Sequence, residues 1–103
     1  MTPEECRSLE DIRAQIDRLD RTIVPLLIDR SRYVRRAADF KASASDVAAP
    51  GRQEVVYENV RRIAAEHGGD EVLIERIYRR LVAEFIADQE TIWEIRRPST
   101  GSG

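Results

Sequence analysis

A heptad repeat of apolar residues close to the N-terminus restricts this chain to very few folds. The repeat runs in alternating steps of three and four through Leu9, Ile12, Ile16, Leu19, Ile23 and Leu26. Such spacing places every member along one side of an α-helix. The phase continues through Arg30 as far as Lys41. This predicts a single helix from Leu9 to Lys41, roughly 50 Å long at about 1.5 Å per residue.

The length of that helix predicts how the protein assembles. The chain has 103 residues, and a compact domain of about 100 residues has a radius of gyration of about 13 Å. The helix would extend beyond any globule that the rest of the chain could form, and shorter helices cannot cover its whole apolar stripe. We therefore predict an obligate, intertwined homodimer in which the long helices of two copies pack together.

Two shorter helices follow the long one. Residues 43–51 are small and polar and end in Pro-Gly, which predicts a loop. A second helix is predicted from Arg52 to His67, because a Gly-Gly pair follows that can provide a left-handed cap. Asp70 is typical of an N-cap and begins a third helix, which Pro98 ends.

These patterns predict an all-α fold of three helices, one long and two shorter. Residues 1–98 form one predicted domain, and 99–103 a disordered tail. Ser8 is a predicted N-cap of the long helix. Pro25 lies within that helix, where we expect a kink and no break because the apolar stripe keeps its phase across it.

Composition excludes several classes of protein. Charged residues make up 35% and hydrophobic residues 42%, which is typical of a soluble helical protein, and a net charge of -2 argues against nucleic acid. The apolar runs are too short to span a membrane. Cys6 is the single cysteine, which excludes an intrachain disulfide and favours a cytoplasmic location. No His, Cys and carboxylate cluster has metal-ligand spacing, so neither a metal nor a cofactor is predicted.

Five polar side chains interrupt or flank the apolar faces of the predicted helices. They are Arg13, Arg30, Lys41, Arg52 and Gln89. A buried cation without a partner is very costly. Several cations aimed at one interior, together with an amide, predict a cavity that binds an anion with more than one negative charge, since arginine binds carboxylates in bidentate fashion.

Each of these residues also has a simpler explanation. Arg13 would by itself be a rim arginine, and Arg30 and Lys41 can extend their charged ends to water. Gln89 can fix the register of a helical dimer. Arg52 would be a charge near a helix start. One shared anion site would explain with a single cause why all five polar residues lie on or beside apolar helix faces.

The same residues resemble the all-helical chorismate mutases, and most of all their isochorismate pyruvate lyase subfamily, which makes salicylate and pyruvate for siderophores. The resemblance covers about residues 2–96. It rests on Thr2-Pro3-Glu4-Glu5-Cys6, Asp11-Ile12-Arg13, Ile16-Asp17-Arg18, Ile23-Val24, Tyr33-Val34, Phe40-Lys41-Ala42-Ser43, Ile86-Ala87, Gln89 and Trp93.

The resemblance implies roles for the candidate residues. Lys41 and Gln89 would donate hydrogen bonds to the ether oxygen of the substrate, whose bond to carbon breaks. The substrate carboxylates would be bound by Arg30 and Arg52, helped by Arg13 from the other copy of the chain. Gln53 and Ile86 would also contact the substrate. The segment 43–51 would be a mobile lid with Lys41 at its base.

The particular substrate stays open at this point. Gln53 matches neither the glutamate of typical mutases nor the apolar residue of the lyases, and Pro50-Gly51-Arg52 resembles the aminodeoxychorismate mutases. The alternatives are an isochorismate pyruvate lyase with secondary chorismate mutase activity, a dedicated chorismate mutase and an aminodeoxychorismate mutase. A helical dimerisation module without activity is the non-enzymatic alternative.

Overall fold

The computed structural model describes residues 1–97, and these residues are helical with no β-strand among them. The α-helices are α1 (Leu9–Ala37), α2 (Ala44–Ala48), α3 (Pro50–Glu66) and α4 (Glu71–Arg96), with 3₁₀ helices at Pro3–Glu5 and Ala38–Phe40. The all-α prediction, with one long helix and two shorter ones, is confirmed, and α2 is an additional helix of little more than one turn. Pro98 and the predicted tail 99–103 lie outside the described residues.

The chain divides into two compact units, Met1–Tyr33 and Val34–Gly103, with the boundary inside α1. In the first unit, the predicted cap is confirmed because the Ser8 hydroxyl accepts a hydrogen bond from the Asp11 backbone N–H at 3.0 Å. Helix α1 continues through Pro25 without a break, also as predicted. The kink at Pro25 stays a prediction.

The apolar stripe of α1 is largely exposed in the single chain. Its six members from Leu9 to Leu26 have between 43% and 61% of their surface exposed, with Ile12 the least and Leu26 the most exposed. Scattered exposed apolar residues are ordinary, but a contiguous stripe of this kind marks an interaction surface.

The core of the second unit lies where α3 packs against α4. Its buried residues include Tyr57, Val60 and Ala64 from α3 and Val82 from α4. Two predicted caps hold this hairpin and are confirmed: Gly68 has a φ of 68°, and the Asp70 carboxylate accepts from the Leu73 N–H at 3.0 Å. The unit that contains the candidate amide is therefore built around one antiparallel helix pair.

The predicted end of the long helix is wrong. Helix α1 ends at Ala37 instead of Lys41, and Lys41 is extended with φ −90° and ψ 131°. The Trp93 side chain of α4 donates a hydrogen bond to the Lys41 carbonyl. This tertiary contact replaces the last helical turn that local periodicity predicts.

The predicted loop 43–51 is also only partly correct. It contains α2, and Pro50 begins α3 two residues before Arg52, since proline suits the first turn of a helix. Ala49 joins α2 to α3 in the left-handed conformation, with φ 40°. The predicted second helix ends at Glu66, with His67 as its C-cap.

Candidate active site

Gln89 lies inside the second unit, with only 4% of its surface exposed. Its side-chain N–H₂ group donates to the carbonyl oxygen of Val34 at 2.6 Å. Val34 is in the last turn of α1, and a carbonyl oxygen has two lone pairs with which to accept donors. The contact fixes the orientation of the amide. It also leaves one N–H of the same nitrogen available to a second acceptor.

Lys41 lies on the segment that connects α1 to α2. Its side chain is half-buried, and the ammonium group donates to the backbone carbonyl of Asp46 in α2 at 3.1 Å. An ammonium group has three N–H donors. One hydrogen bond to α2 thus leaves donor capacity for a ligand.

Trp93 connects these two residues. It lies one helical turn after Gln89 on α4, and its indole N–H donates to the Lys41 carbonyl at 3.0 Å. Since residues four apart share a helix face, one face of α4 binds both the last turn of α1, through Gln89, and the start of the connection to α2. Local sequence patterns did not indicate this hydrogen bond.

An ion pair next to Gln89 fixes the position of α4 against the end of α1. Arg35 donates to both carboxylate oxygens of Asp88, from Nε and Nη2, each at 2.8 Å. The hydrogen bond and the positive charge of Arg35 lower the pKa of Asp88, and the same contact raises the pKa of Arg35. No local sequence pattern predicts this pair, because Arg35 and Asp88 lie 53 residues apart.

Arg52, Gln53 and Ile86 lie in the same unit. Arg52 is exposed on the first turn of α3, and Ile86 is half-buried on α4. The Gln53 side chain donates to the carbonyl of Ala48 in α2 at 2.6 Å. Helix α2 is therefore held from two sides, by Lys41 at Asp46 and by Gln53 at Ala48.

Arg13 and Arg30 belong to the first unit, on α1. Arg13 is exposed and Arg30 is half-buried. They are seventeen residues apart, which corresponds to about 25 Å along a helix. One copy of α1 does not bring them together.

Two pockets flank Trp93. One, of about 270 Å³, lies against Ala44 and Val47. The other, of about 500 Å³, is lined in part by Lys41 and Arg96. Residues 1–97 contain no group of three His, Cys, Asp or Glu side chains placed to hold a metal ion. Within the same range, no helix is long and apolar enough to cross a membrane.

A second charged cluster lies elsewhere, between α3 and α4. Glu75 accepts hydrogen bonds from Arg61 and, at 3.0 Å, from Arg79, whose guanidinium lies 4.2 Å from the centre of the Tyr57 ring. The hydrogen bonds from Arg61 and then Arg79 lower the pKa of Glu75. This cluster joins α3 to α4 and contains none of the candidate residues.

The second unit is all-helical and contains a buried amide, Gln89, and a half-buried lysine, Lys41, each with N–H donors beyond the contacts described above. The family model described as chorismate mutase type II matches residues 12–90. The chain belongs to this family. The matched span includes all seven candidate residues from Arg13 to Gln89. The protein is therefore an enzyme that acts on chorismate-type substrates. This excludes the alternative of a helical dimerisation module without activity.

Individual relatives carry three different names. The chain is 38% identical to the isochorismate pyruvate lyase of Pseudomonas aeruginosa over 93% of this chain and 95% of that protein. It is 28% identical to the chorismate mutase of Methanocaldococcus jannaschii, over 72% of this chain and 76% of the relative. It is also 28% identical to the 4-amino-4-deoxychorismate mutase of Streptomyces venezuelae, over 85% and 86% of the two chains.

Proposed function

We propose that this enzyme is an isochorismate pyruvate lyase, which converts isochorismate to salicylate and pyruvate, with chorismate mutase activity as a secondary property. The observation that carries the proposal is the 38% identity with the Pseudomonas aeruginosa lyase over nearly the full length of both chains. The relatives named as mutases are 28% identical over smaller shares of the chain. A role in siderophore production and a cytoplasmic location belong to the same proposal.

The proposed chemistry suits the residues that the site contains. A chorismate-type dianion reacts by a concerted pericyclic step, which needs neither a nucleophile nor a general base. Catalysis then consists of holding the reactive conformer and stabilising the negative charge that develops on the ether oxygen. Hydrogen-bond donors in a site from which water is excluded are the groups that can do this.

Lys41 and Gln89 are the proposed donors to the ether oxygen. The Gln89 amide has one N–H left after its contact with Val34, and that contact fixes the direction of the second N–H. Lys41 adds a positive charge and has N–H donors beyond the one bound to Asp46. A preoriented amide and a charged ammonium supply the kind of stabilisation that the transition state requires more than the ground state does.

The substrate carboxylates are assigned to arginines from two copies of the chain. Arg30 and Arg52 would bind them in one copy, and Arg13 would come from the second copy. The separation of about 25 Å between Arg13 and Arg30 along α1 supports this division, since it exceeds the size of one small dianion. Gln53 and Ile86 would contact the substrate ring.

The exposed apolar stripe of α1 supports a homodimer, because a second long helix is the partner that matches its heptad spacing. Light scattering at micromolar concentration should give the mass of a dimer. A monomeric mass would contradict the shared site.

A dedicated chorismate mutase is the second candidate, and Gln53 is the observation that favours it. Gln53 keeps a polar amide at a position where the lyases have an apolar residue. One of its N–H groups is bound to Ala48, so its amide oxygen and its second N–H are available to a substrate hydroxyl. An aminodeoxychorismate mutase is the third candidate, supported by the 28% identity with the Streptomyces venezuelae relative.

A paired assay of the purified protein separates these candidates. Salicylate fluorescence measures turnover of isochorismate, and loss of chorismate absorbance measures mutase activity. We expect the higher kcat/KM with isochorismate. Efficient loss of chorismate without salicylate formation would make the enzyme a mutase, and turnover of the amino analogue alone would favour the third candidate.

A further inference from the structure

The indole N–H of Trp93 makes a hydrogen bond that packing alone does not require. It donates to the Lys41 backbone carbonyl at 3.0 Å, although Trp93 lies 52 residues further along the chain. Trp93 is the only tryptophan of the protein and lies outside the span that the family model matches. None of the roles assigned above includes it.

The contact completes the fixation of the Lys41 backbone. The Lys41 N–H donates to the Ala38 carbonyl at 3.2 Å, so its peptide groups are bound on both sides. Lys41 is extended and is the residue at which the chain leaves the 3₁₀ helix towards α2. Without the indole bond, only the ammonium contact with Asp46 would restrain this residue on its far side.

The spacing of Gln89 and Trp93 on α4 links the position of the Lys41 backbone to that of the Gln89 amide. The two residues lie four apart on α4, which places them about 6 Å apart along a rigid helix. Gln89 binds Val34 and Trp93 binds Lys41. One face of α4 therefore sets the position of the Lys41 backbone relative to the Gln89 amide. Electrostatic catalysis depends on donors that are already in position before the reaction.

We infer that Trp93 is a positioning residue that acts through Lys41, holding its backbone so that the ammonium group reaches the ether oxygen beside Gln89. This inference rests on the proposed function. A purely structural role for Trp93 predicts something else: loss of the indole would lower stability and weaken substrate binding, whether or not residue 41 is a lysine.

The test is the Trp93→Phe variant, alone and combined with Lys41→Ala. Trp93→Phe keeps an aromatic ring and removes the N–H. We expect kcat to fall about tenfold with little change in KM, from the loss of one directional hydrogen bond. In the Lys41→Ala background the same substitution should cost less than about twofold, because the group it positions is gone.

Two further proteins make the test specific. Benzothienylalanine replaces the indole N–H by sulfur and keeps the shape of the ring. Since Trp93 is the only tryptophan, incorporating the analogue changes one site, and it should reproduce the fall in kcat. Tyr78→Phe removes a polar group from an aromatic residue on the same helix, far from Lys41, and should leave kcat unchanged. Circular dichroism melts of all variants measure stability.

The outcomes are distinct. A wild-type protein that turns over neither isochorismate nor chorismate would overturn the proposed function and this inference with it. An active wild type with an unaffected Trp93→Phe variant would overturn the inference alone. An equal loss in the wild-type and Lys41→Ala backgrounds would also overturn it, because Trp93 would then act independently of Lys41.

Discussion

At the scale of single residues, Gln89 combines a structural and a proposed chemical role in one side chain. Its amide nitrogen provides two N–H groups, and one of them binds the Val34 carbonyl. The other can serve the substrate only because the first fixes the plane of the amide. A group that only donates one hydrogen bond, or only accepts, cannot replace both functions.

The variant Gln89→Glu tests this combination. At neutral pH the introduced carboxylate would face the Val34 carbonyl, acceptor against acceptor, and would offer no donor to the ether oxygen. We expect kcat to fall by about 100-fold and thermal stability to fall as well. Burial beside a carbonyl raises the pKa of the introduced carboxyl, and its protonated form donates. Activity relative to wild type should therefore recover only in part between about pH 7 and about pH 5, because the protonated carboxyl has one donor where the Gln89 amide has two.

Gln89→Leu is the matched control, because it has a similar size and no donor at any pH. Its activity should stay low throughout. A pH profile of Gln89→Glu that runs parallel to wild type would contradict the requirement for a donor at this position.

At the scale of the elements, the parts that could be predicted depend on short-range patterns. Ser8, Gly68 and Asp70 mark helix ends by local capping, and the burial of Gln89 follows from its period on α4. The end of α1 could not be predicted, because the bonds that hold it come from Gln89 and Trp93, more than fifty residues away. A local pattern contains no information about such donors.

Helix α2 was missed for a different reason. It has only five residues, too few to show a helical period, and its position depends on side chains from outside it, since Lys41 binds Asp46 and Gln53 binds Ala48. The roles of all seven candidate residues in binding and catalysis stay predictions, since they concern a ligand and a second copy of the chain.

The junction of α2 and α3 provides a prediction about stability. Ala49 is left-handed with φ 40° and precedes a proline, a combination unfavourable for a residue with a Cβ atom. Ala49→Gly should relieve this strain and stabilise the protein by about 0.5 kcal/mol, after the entropy cost of glycine. Ala48→Gly is the matched control. Because Ala48 lies in α2, this substitution should destabilise the protein by about 0.5 kcal/mol or more. Urea unfolding measures both, and destabilisation of both variants would refute strain at Ala49.

The ion pairs between helices predict the response to acid. The pKa values of Asp88 and Glu75 are lowered by their arginine partners. Their contribution to stability is therefore complete above the ordinary carboxyl pKa of about 4 and is lost as the pH falls through the lowered values. Urea midpoints measured from about pH 6 to about pH 3 should fall less steeply for Asp88→Asn and Glu75→Gln than for wild type. Slopes equal to wild type would show that these carboxylates do not contribute.

At the scale of the whole molecule, a single chain leaves two features unexplained. Its apolar stripe on α1 is exposed, and its Arg13 and Arg30 are about 25 Å apart on one helix. A second copy would account for both facts, because it would cover the stripe and bring its own Arg13 to the site. The proposed enzyme would then be active only as a pair of chains, with each site containing residues from both.

Mixing two inactive variants tests the shared site directly. Arg13→Ala and Lys41→Ala homodimers should each have little activity. After unfolding and refolding together, mixed dimers contain one site with both defects and one site with neither. Random pairing makes about half of the dimers mixed, so up to about a quarter of wild-type activity should return. The matched control is a mixture of Arg30→Ala and Lys41→Ala, residues assigned to the same chain's site, which should recover nothing because every site keeps a defect. Equal recovery in both mixtures, or in neither, would refute the assignment of Arg13 to the second copy.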